Sequence, residues 1–299
     1  MEYQKIITIP REGPNGYKTN SPSFYWNNPD SIFIFPTSLN KAFLYNKDIQ
    51  IIKTYEYIAE FTMSFDSNEQ QQGGALVKND LYINTIPYSN PNNPSFTSST
   101  YVSHSLNLDY SELTPFSGYP NKFNNKIIPT SFLGGQIIRA FDSILFINNY
   151  YSDEINVYNL LSKRSSTTSL GMTELNHLEG LDQAIDNRGL EIIGIQLKYP
   201  NYYNIWYDPY RKQVYRYSRH INPKYDSYSS GQVLKEMERN NTRLLQNTLI
   251  SLSENGKKQY YNLPFNIEFG FPTKHGFVIK SSKLEDDNHD VYLRLILEQ

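Results

Sequence analysis

A weak internal repeat is the feature that most limits how this chain can fold. The segment Asp30–Phe35 (Asp-Ser-Ile-Phe-Ile-Phe) recurs as Asp142–Ile147 (Asp-Ser-Ile-Leu-Phe-Ile), and each copy is followed by a polar turn and a second apolar run. The copies lie 112 residues apart. A four-stranded propeller blade takes roughly 40–50 residues, so this spacing predicts two blades rather than one.

Other strand–turn–strand segments extend the pattern along the chain. Asp208-Pro209 and Asn255-Gly256 are strong turn dipeptides, because Pro presets φ and Gly accepts positive φ. Four further hairpins lie at residues 80–84, 202–217, 248–261 and 276–297. Together with the two repeat copies they make six hairpins, with almost no helix between them. This radial repetition predicts an all-β fold, a six-bladed β-propeller. A β-sandwich with irregular strands is the competing fold.

The two ends of the chain suggest how such a ring closes. Tyr3–Pro10 reads as a strand without a hairpin partner beside it, and the last apolar run ends at residue 297 without an outer strand. Pairing the N-terminal strand into the last blade would remove both exposed edges. Residues 1–299 are therefore predicted to form a single propeller domain.

Helix is predicted at few places. Apolar residues at helical spacing over Ser230–Leu245 predict a short helical insertion near 230–245. Thr173–Asn187 is expected to contain a helical turn. Tyr88–Ser99, rich in Ser, Asn and Pro, is expected to be a long surface loop.

Composition excludes several classes of function. The chain has no cysteine, which excludes disulfides, thiolate metal sites and cysteine nucleophiles. A net charge of −2 gives no electrostatic case for nucleic acid as a partner. No stretch approaches the ~18 apolar residues that a membrane-spanning helix needs. The first residues lack an export signal, so the protein is either cytoplasmic or an exported protein whose signal segment was removed.

Three motifs resemble known propeller families. The turn Gly13–Gly16 before the first repeat looks like the blade entry of NHL-type six-bladed propellers. The run Trp206–Lys212 with Tyr215–Tyr217 is similar to a signature of uncharacterised Bacteroidetes lipoproteins, and Gly276–Leu295 fits the same family. The resemblance implies export, a lipid anchor on a cysteine and a place on the cell envelope, with no activity to carry over. This sequence departs from the pattern in lacking that cysteine, so either the anchor belongs to a removed segment or the assignment is wrong.

The residues that could carry chemistry form no recognisable catalytic or metal set. The histidines have no HxH or HExxH spacing, and the acidic run Glu285–Asp290 lacks the spacing of a calcium loop, so we predict neither metal nor cofactor. A carboxylate pair for glycoside cleavage is conceivable in residues 174–186, but a solvated loop is the expected role of its four acids, Glu174, Glu179, Asp182 and Asp186. No G-x-S-x-G elbow is present.

An aromatic cluster on the fourth hairpin is the most suggestive candidate for binding. Strict alternation would place Tyr202, Asn204 and Trp206 on one face of the strand. Trp206, Tyr210 and Arg211 are the predicted ligand-binding residues, because aromatic rings beside Arg and Asn suit flat polar ligands such as sugars. Packing between blades is the competing role of these rings.

These observations predict a non-catalytic cell-envelope propeller that binds an unknown small molecule, glycan or protein. Contact with a membrane is expected only through a lipid anchor. The alternative is a propeller hydrolase or lactonase with its site in the central channel, for which the sequence identifies no catalytic residue.

Overall fold

A computed structural model describes most of the chain, and the all-β prediction is confirmed within it. Its described residues are 8–18, 22–36, 39–58, 61–63, 74–87, 93, 95–128, 136–181, 190–239, 241–267, 269–280 and 292–296. In this part of the chain, twenty strands form five antiparallel sheets, and there are three short α-helices.

The contacts within the chain divide it into two compact units. The N-terminal unit is Met1–Ser89 with Thr100–Gly118, and the C-terminal unit is Asn90–Ser99 with Tyr119–Gln299. The single domain expected from the sequence stays a prediction.

The N-terminal unit contains two sheets. The first has four strands paired in chain order: β1 Pro22–Asn28, β2 Ser31–Pro36, β3 Lys41–Tyr45 and β4 Ile51–Glu56. The second contains β5 Phe61–Met63, β6 Gly74–Val77, β7 Asp80–Pro87, β8 Tyr101–Asn107 and β9 Glu112–Gly118. In this second sheet, β5 and β6 pair with different halves of β7, and β8 and β9 follow in order.

The central strands of the first sheet, β2 and β3, are buried on both faces. Phe33 and Phe35 pack with Leu81 and Ile83 of the second sheet, whereas a second cluster of residues on the opposite face packs with Ile9 and Tyr17: Ile32, Ile34, Phe43 and Tyr45. Burial on both faces explains why β2 is almost continuously apolar. Residues 8–10 belong to no strand. Residues 1–7 lie outside the described residues, so pairing of the N-terminal strand into the last blade stays a prediction.

The C-terminal unit contains three sheets, each with its strands in chain order. Their strands are β10 Gln136–Phe141, β11 Ile144–Asn149, β12 Glu154–Asn159 and β13 Arg164–Ser169; β14 Asn201–Asp208, β15 Gln213–Ile221, β16 Leu245–Ser253 and β17 Lys258–Leu263; and β18 Phe269–Thr273, β19 Gly276–Lys280 and β20 Tyr292–Leu295.

The fourth and fifth predicted hairpins belong to one sheet, which corrects their assignment to separate blades. β15 and β16 pair along nine residues, from Gln213 opposite Ser253 to Ile221 opposite Leu245. The long connection that separates them in sequence hides this pairing, because hairpin signals report only strands joined by short turns. The described residues therefore form five sheets, and a sixth is not among them.

The helices are α1 Phe96–Ser99, α2 Leu190–Lys198 and α3 Ser230–Glu238. α3 lies within the predicted range 230–245 and begins at a capping box made by Ser229 and Gln232. It ends before Leu244, because Leu244 packs on Ile221 and the next residue starts β16. The sequence analysis missed α2. It also missed α1, whose Phe96 is buried in the expected surface loop. Residues 173–181 contain no helix, and residues 182–189 lie outside the described part.

A shared turn chemistry forms three of the hairpin tips. In each tip an Asn or Asp side-chain oxygen accepts hydrogen bonds from the backbone N–H groups two and three residues later; these residues are Asn107, Asn159 and Asp208. The residue four positions later adopts a positive φ of 51–57° in all three tips: Ser111, Lys163 and Lys212. Asx turns of this kind are local, so each hairpin can form from its own sequence.

We expect Lys163→Gly to stabilise the protein by roughly 0.5–1 kcal/mol, because a Cβ is strained in the left-handed region and glycine is not. Urea unfolding of the variant and the parent measures the change. Lys163→Ala is the matched control, since it removes the charge and keeps the Cβ. An equal gain in the alanine variant would show that backbone strain at φ 54° is not the cause.

Candidate functional site

Buried polar side chains concentrate where β11 ends in the C-terminal unit. Asn148 is fully buried and Asn149 is 4% exposed, and the guanidinium of Arg216 on β15 lies beside them with no exposed surface. Buried polar groups must find partners or lose the hydrogen bonds they had with water. The hydrogen-bond partners of these side chains therefore show which parts of the fold they connect.

Arg216 is enclosed by oxygen acceptors from the neighbouring sheet and its loops. Its five N–H groups match five acceptors within 3.0 Å: Asn148 Oδ1 (2.6 Å), Asp153 O (3.0 Å), Leu170 O (2.9 Å), Asn149 O (2.9 Å) and Ser152 O (2.7 Å). Four of them are backbone carbonyls. The side chain therefore joins the β14–β17 sheet to the turn between β11 and β12.

The charge of Arg216 is balanced without a direct carboxylate partner. The guanidinium carbon lies 3.7 Å from the centre of the Tyr202 ring, a cation–π contact. Burial lowers the pKa of Arg216 to about 9, and Tyr202 and Asp153 oppose this change. The group therefore stays charged at neutral pH, held by carbonyl dipoles and an aromatic face.

The hydroxyl of Tyr202 is also fully engaged. It accepts a hydrogen bond from Met172 N (2.9 Å) and lies 2.8 Å from His177 Nε2. Burial lowers the pKa of His177, and the charge of Asp153 opposes this change.

A glycine and an ion pair complete the surroundings of this network. A Cβ on Gly171 would lie 2.7 Å from Tyr202 Oη and 2.4 Å from Asp153 Cβ, so only glycine fits. Lys122 Nζ pairs with Asp153 Oδ1 at 2.9 Å. Burial raises the pKa of Asp153, but the hydrogen bond and charge of Lys122 outweigh burial and hold it below its usual value.

A small recess lies beside the network. Its volume is about 20 Å³, which is room for about one water-sized group. An amide pair lines it, in which Gln136 Nε2 donates to Asn149 Oδ1 at 2.7 Å. The remaining lining is mainly aromatic: Tyr119, Pro120, Phe123, Ile128, Tyr150 and Tyr151.

Two further histidines are buried in sheets. His104 on β8 contacts Thr85 Oγ1 at 3.1 Å, and burial lowers its pKa to about 4. His220 on β15 bonds the carbonyl of Ile221 (2.7 Å) and Thr248 Oγ1 (2.9 Å), and burial lowers its pKa as well. Both rings lie in the sheet cores and are bonded to neighbouring groups of the sheet.

The three residues predicted to bind a ligand occupy different environments. Trp206 is 8% exposed and packs edge-on against Phe277 at 5.1 Å. Tyr210 is 54% exposed at the hairpin tip. Arg211 is tied to its own turn, through an ion pair with Asp208 (2.7 Å) and a hydrogen bond to Thr273 O (3.0 Å). Their role in binding stays a prediction.

A β-bulge changes which side chains share a face on β14. The pairing register with β15 shifts between Tyr202 and Asn204. Tyr202 therefore packs with Ile205 in one core cluster, while Trp206 belongs to another cluster with Tyr203 beside it. The strict alternation expected from the sequence is wrong here, because a bulge inserts one residue and reverses the phase of the strand.

The other candidate residues do not assemble into a site. Glu174 and Glu179 are exposed, while Asp182, Asp186 and the run 285–290 lie outside the described residues. In the part of the chain that the structure describes, no three His, Asp or Glu side chains come together as metal ligands. Within the same residues, no helix has the length and apolar character needed to cross a membrane.

The sequence analysis did not single out the network around Arg216. Arg216 lies in the Tyr215–Tyr217 run that carries the family resemblance, but only as part of a pattern. The available signal was a charged residue in the middle of a strand bordered by aromatic residues.

Comparison with known proteins shows similarity in fold and none in sequence family. No family model matches the chain, and no curated protein matches it. A member of the DUF4221 family from Bacteroides vulgatus is similar in structure, with 15% identity over 97% of this chain and 82% of that one, and a TM-score of 0.67. At this identity the likeness shows the fold alone.

Two further solved structures are more distant. A protein described as exported, from Bacteroides fragilis, has 11% identity over 88% of this chain and 68% of that one, with a TM-score of 0.48. The extracellular domain of a one-component system from B. thetaiotaomicron has 12% identity over 93% of this chain and 33% of that one, with a TM-score of 0.33. At these TM-scores neither likeness bears on the function of this chain.

We expect Arg216→Met to lower the free energy of unfolding by about 3 kcal/mol or more, because it leaves several buried carbonyls without donors. Urea unfolding of the variant and the parent measures the loss. Arg164→Met, at the exposed start of β13, is the matched control and should change stability by no more than about 0.5 kcal/mol. Equal effects of the two substitutions would contradict the bonding role of Arg216.

We expect stability to fall as the pH drops from about 6.5 towards 4, in part because of His104. Its folded pKa, about 4, lies below the ordinary value of 6.5, so in this range the unfolded chain binds the proton and the folded protein does not. The contribution is complete above pH 6.5 and is lost over this window, with a slope of up to about 1.4 kcal/mol per pH unit. Urea unfolding at several pH values should show a shallower slope for His104→Gln. An unchanged slope would rule out this histidine as a source of acid sensitivity.

Proposed function

We propose that this chain is a non-catalytic β-propeller of the cell envelope that binds a ligand or protein partner. The observation that carries the proposal is the state of the ionisable groups around Arg216. Each of them is bonded to the scaffold, and a catalytic acid, base or nucleophile needs a free polar atom facing substrate. A region built in this way holds sheets together and leaves recognition to surfaces and shallow recesses.

One feature supports a propeller: three of the five sheets have four strands in strict chain order, as propeller blades do. A ring of six blades, closed by the N-terminal strand, remains part of the proposal and requires a sixth sheet from residues outside the described part.

The envelope location and the lipid anchor in a precursor rest on the family resemblance of the hairpin motifs. A cytoplasmic location is the alternative. The competing function, a hydrolase or lactonase acting in a central channel, would require free carboxylates or metal ligands from several sheets at one place.

The proposal predicts no turnover and no specific calcium binding. Calorimetric titration with calcium chloride and assays with panels of lactones and aryl glycosides are expected to give neither a saturable heat nor a rate above background. A known calcium-dependent propeller lactonase, run in parallel, is the positive control. A saturable rate that a single substitution abolishes would overturn the non-catalytic assignment.

A further inference from the structure

Five hairpin tips of the C-terminal unit lie side by side and form one edge of it. They are residues 141–144, 159–164, 208–213, 253–258 and 273–276. A hydrogen bond from Leu160 N to Ser143 O (2.9 Å) joins the first two tips. The first tip also contacts the third, because the ring centre of Phe141 lies 4.3 Å from that of Tyr207, the residue before Asp208.

Polar contacts of the third tip continue this edge. Lys212 Nζ lies 3.9 Å from Glu254 Oε2 of the fourth tip. Arg211 Nη1 donates a hydrogen bond to Thr273 O of the fifth tip at 3.0 Å. The five tips therefore form one continuous border of the C-terminal unit, which we call the tip edge.

The tip edge carries an excess of positive charge. Two of its cations, Arg211 and Lys212, are already paired with carboxylates. Within the described part of the chain, no carboxylate pairs with the four exposed cations of this edge: Lys163, Arg164, Lys257 and Lys274. Of the remaining charges, Lys258 is half-buried and Asp142 is exposed. These two offset each other, so the exposed cations have no counter-charge on this edge.

The opposite ends of the β10–β13 and β14–β17 sheets show no such excess. The connections there, residues 149–154 and 222–244, contain four cationic residues and five carboxylates. The whole chain has a net charge of −2. The positive charge of the tip edge is therefore local, and it creates a field that attracts an anionic partner.

Apolar side chains are exposed on the same edge. Leu161 is 68% exposed, Tyr210 is 54% exposed and Phe141 is 38% exposed, each on a different tip. Leu161 and Tyr210 occupy the same position in their Asx turns, two residues after Asn159 and Asp208. An exposed lysine follows each of them two residues later. The same pairing of an apolar side chain with a cation thus recurs on two tips.

This combination fits the surface of an anionic bilayer better than other partners. A protein interface buries a contiguous apolar core, whereas these apolar side chains lie on separate hairpins. A soluble polyanion offers no environment that buries a leucine. A bilayer surface offers phosphate groups to the lysines and an interfacial layer in which leucine and tyrosine side chains are buried.

We propose that the tip edge docks on a bilayer containing anionic phospholipids, with its unpaired lysines against the headgroups and with Leu161 and Tyr210 in the interfacial layer. The contact is additional to a lipid anchor, and it does not depend on the ligand-binding role proposed above. A single acyl chain gives only marginal attachment, and a basic patch is a second signal that makes attachment stable. Docking in this way would also orient the C-terminal unit on the membrane.

Vesicle co-sedimentation with the whole chain tests the proposal. The probes are vesicles of phosphatidylcholine alone and of phosphatidylcholine mixed with phosphatidylglycerol. We expect saturable binding to the mixed vesicles only. Raising the ionic strength from about 0.1 M to about 1 M should abolish it, because the Debye length falls from about 10 Å to about 3 Å. Absence of binding to the mixed vesicles would overturn the proposal.

Reversal of three charges tests the role of the lysines. The triple variant Lys163→Glu, Lys257→Glu and Lys274→Glu should bind the mixed vesicles at least about tenfold more weakly, since each cation near an anionic surface contributes roughly fivefold. The matched control makes the same change in net charge at the opposite end of the β14–β17 sheet: Lys224→Glu, Lys235→Glu and Arg243→Glu. A nine-residue strand separates the two ends, which exceeds the Debye length, so the control should bind like the parent.

A second pair of variants tests the apolar side chains. Leu161→Ser combined with Tyr210→Ser keeps every charge and should weaken binding to the mixed vesicles at least about fivefold. Met237→Ser, at a 49% exposed position of α3, is the control and should bind like the parent. Thermal unfolding verifies that each variant is folded.

Equal effects of the test and control variants would overturn the proposal. Vesicle binding that is unchanged by the loss of Leu161 and Tyr210 would overturn it as well. Tight binding of heparin by that double variant would then assign the tip edge to a soluble polyanion. None of these results alters the assay for turnover, so the non-catalytic proposal is tested separately.

Discussion

A fully buried arginine, Arg216, links the β14–β17 sheet to the turn between β11 and β12. Arg216 reaches from β15 into the turn after β11 and satisfies four backbone carbonyls and one side-chain amide there. Removing a guanidinium from water costs several kcal/mol, and the cost is offset only when every N–H finds an acceptor. The path of residues 149–154 is therefore set by the geometry of one planar side chain.

Most acceptors of Arg216 are backbone carbonyls, which every residue type has. The constraint therefore fixes the backbone conformation of the acceptor residues more than their side chains. Residue identity matters most at the positions that shape the enclosure. Tyr202 supplies the aromatic face, and Gly171 leaves room for the Tyr202 hydroxyl. His177 then completes the hydrogen bonding of that hydroxyl. One buried charge thus determines the surroundings of a tyrosine, a glycine and a histidine.

The same constraint gives two neighbouring asparagines different surroundings. Asn148 and Asn149 are consecutive residues at the end of β11, and side chains of consecutive strand residues point to opposite sides. Asn148 bonds Arg216 and the carbonyl of Tyr202, whereas Asn149 lines the recess. Of two adjacent polar residues, one is therefore bonded within the Arg216 network and the other borders the recess.

The sequence by itself determined several local elements of this protein. The Asp208-Pro209 and Asn255-Gly256 turns, the repeated Asp-Ser-Ile segments and the capping box of α3 act over a few residues, and their chemistry is visible in the sequence. Only the tertiary structure decided the pairing of β15 with β16, the bulge at Tyr202 and the partners of Arg216, which lie 46 to 68 residues away. Contacts over such separations depend on how whole sheets pack, and no local pattern of residues records that packing.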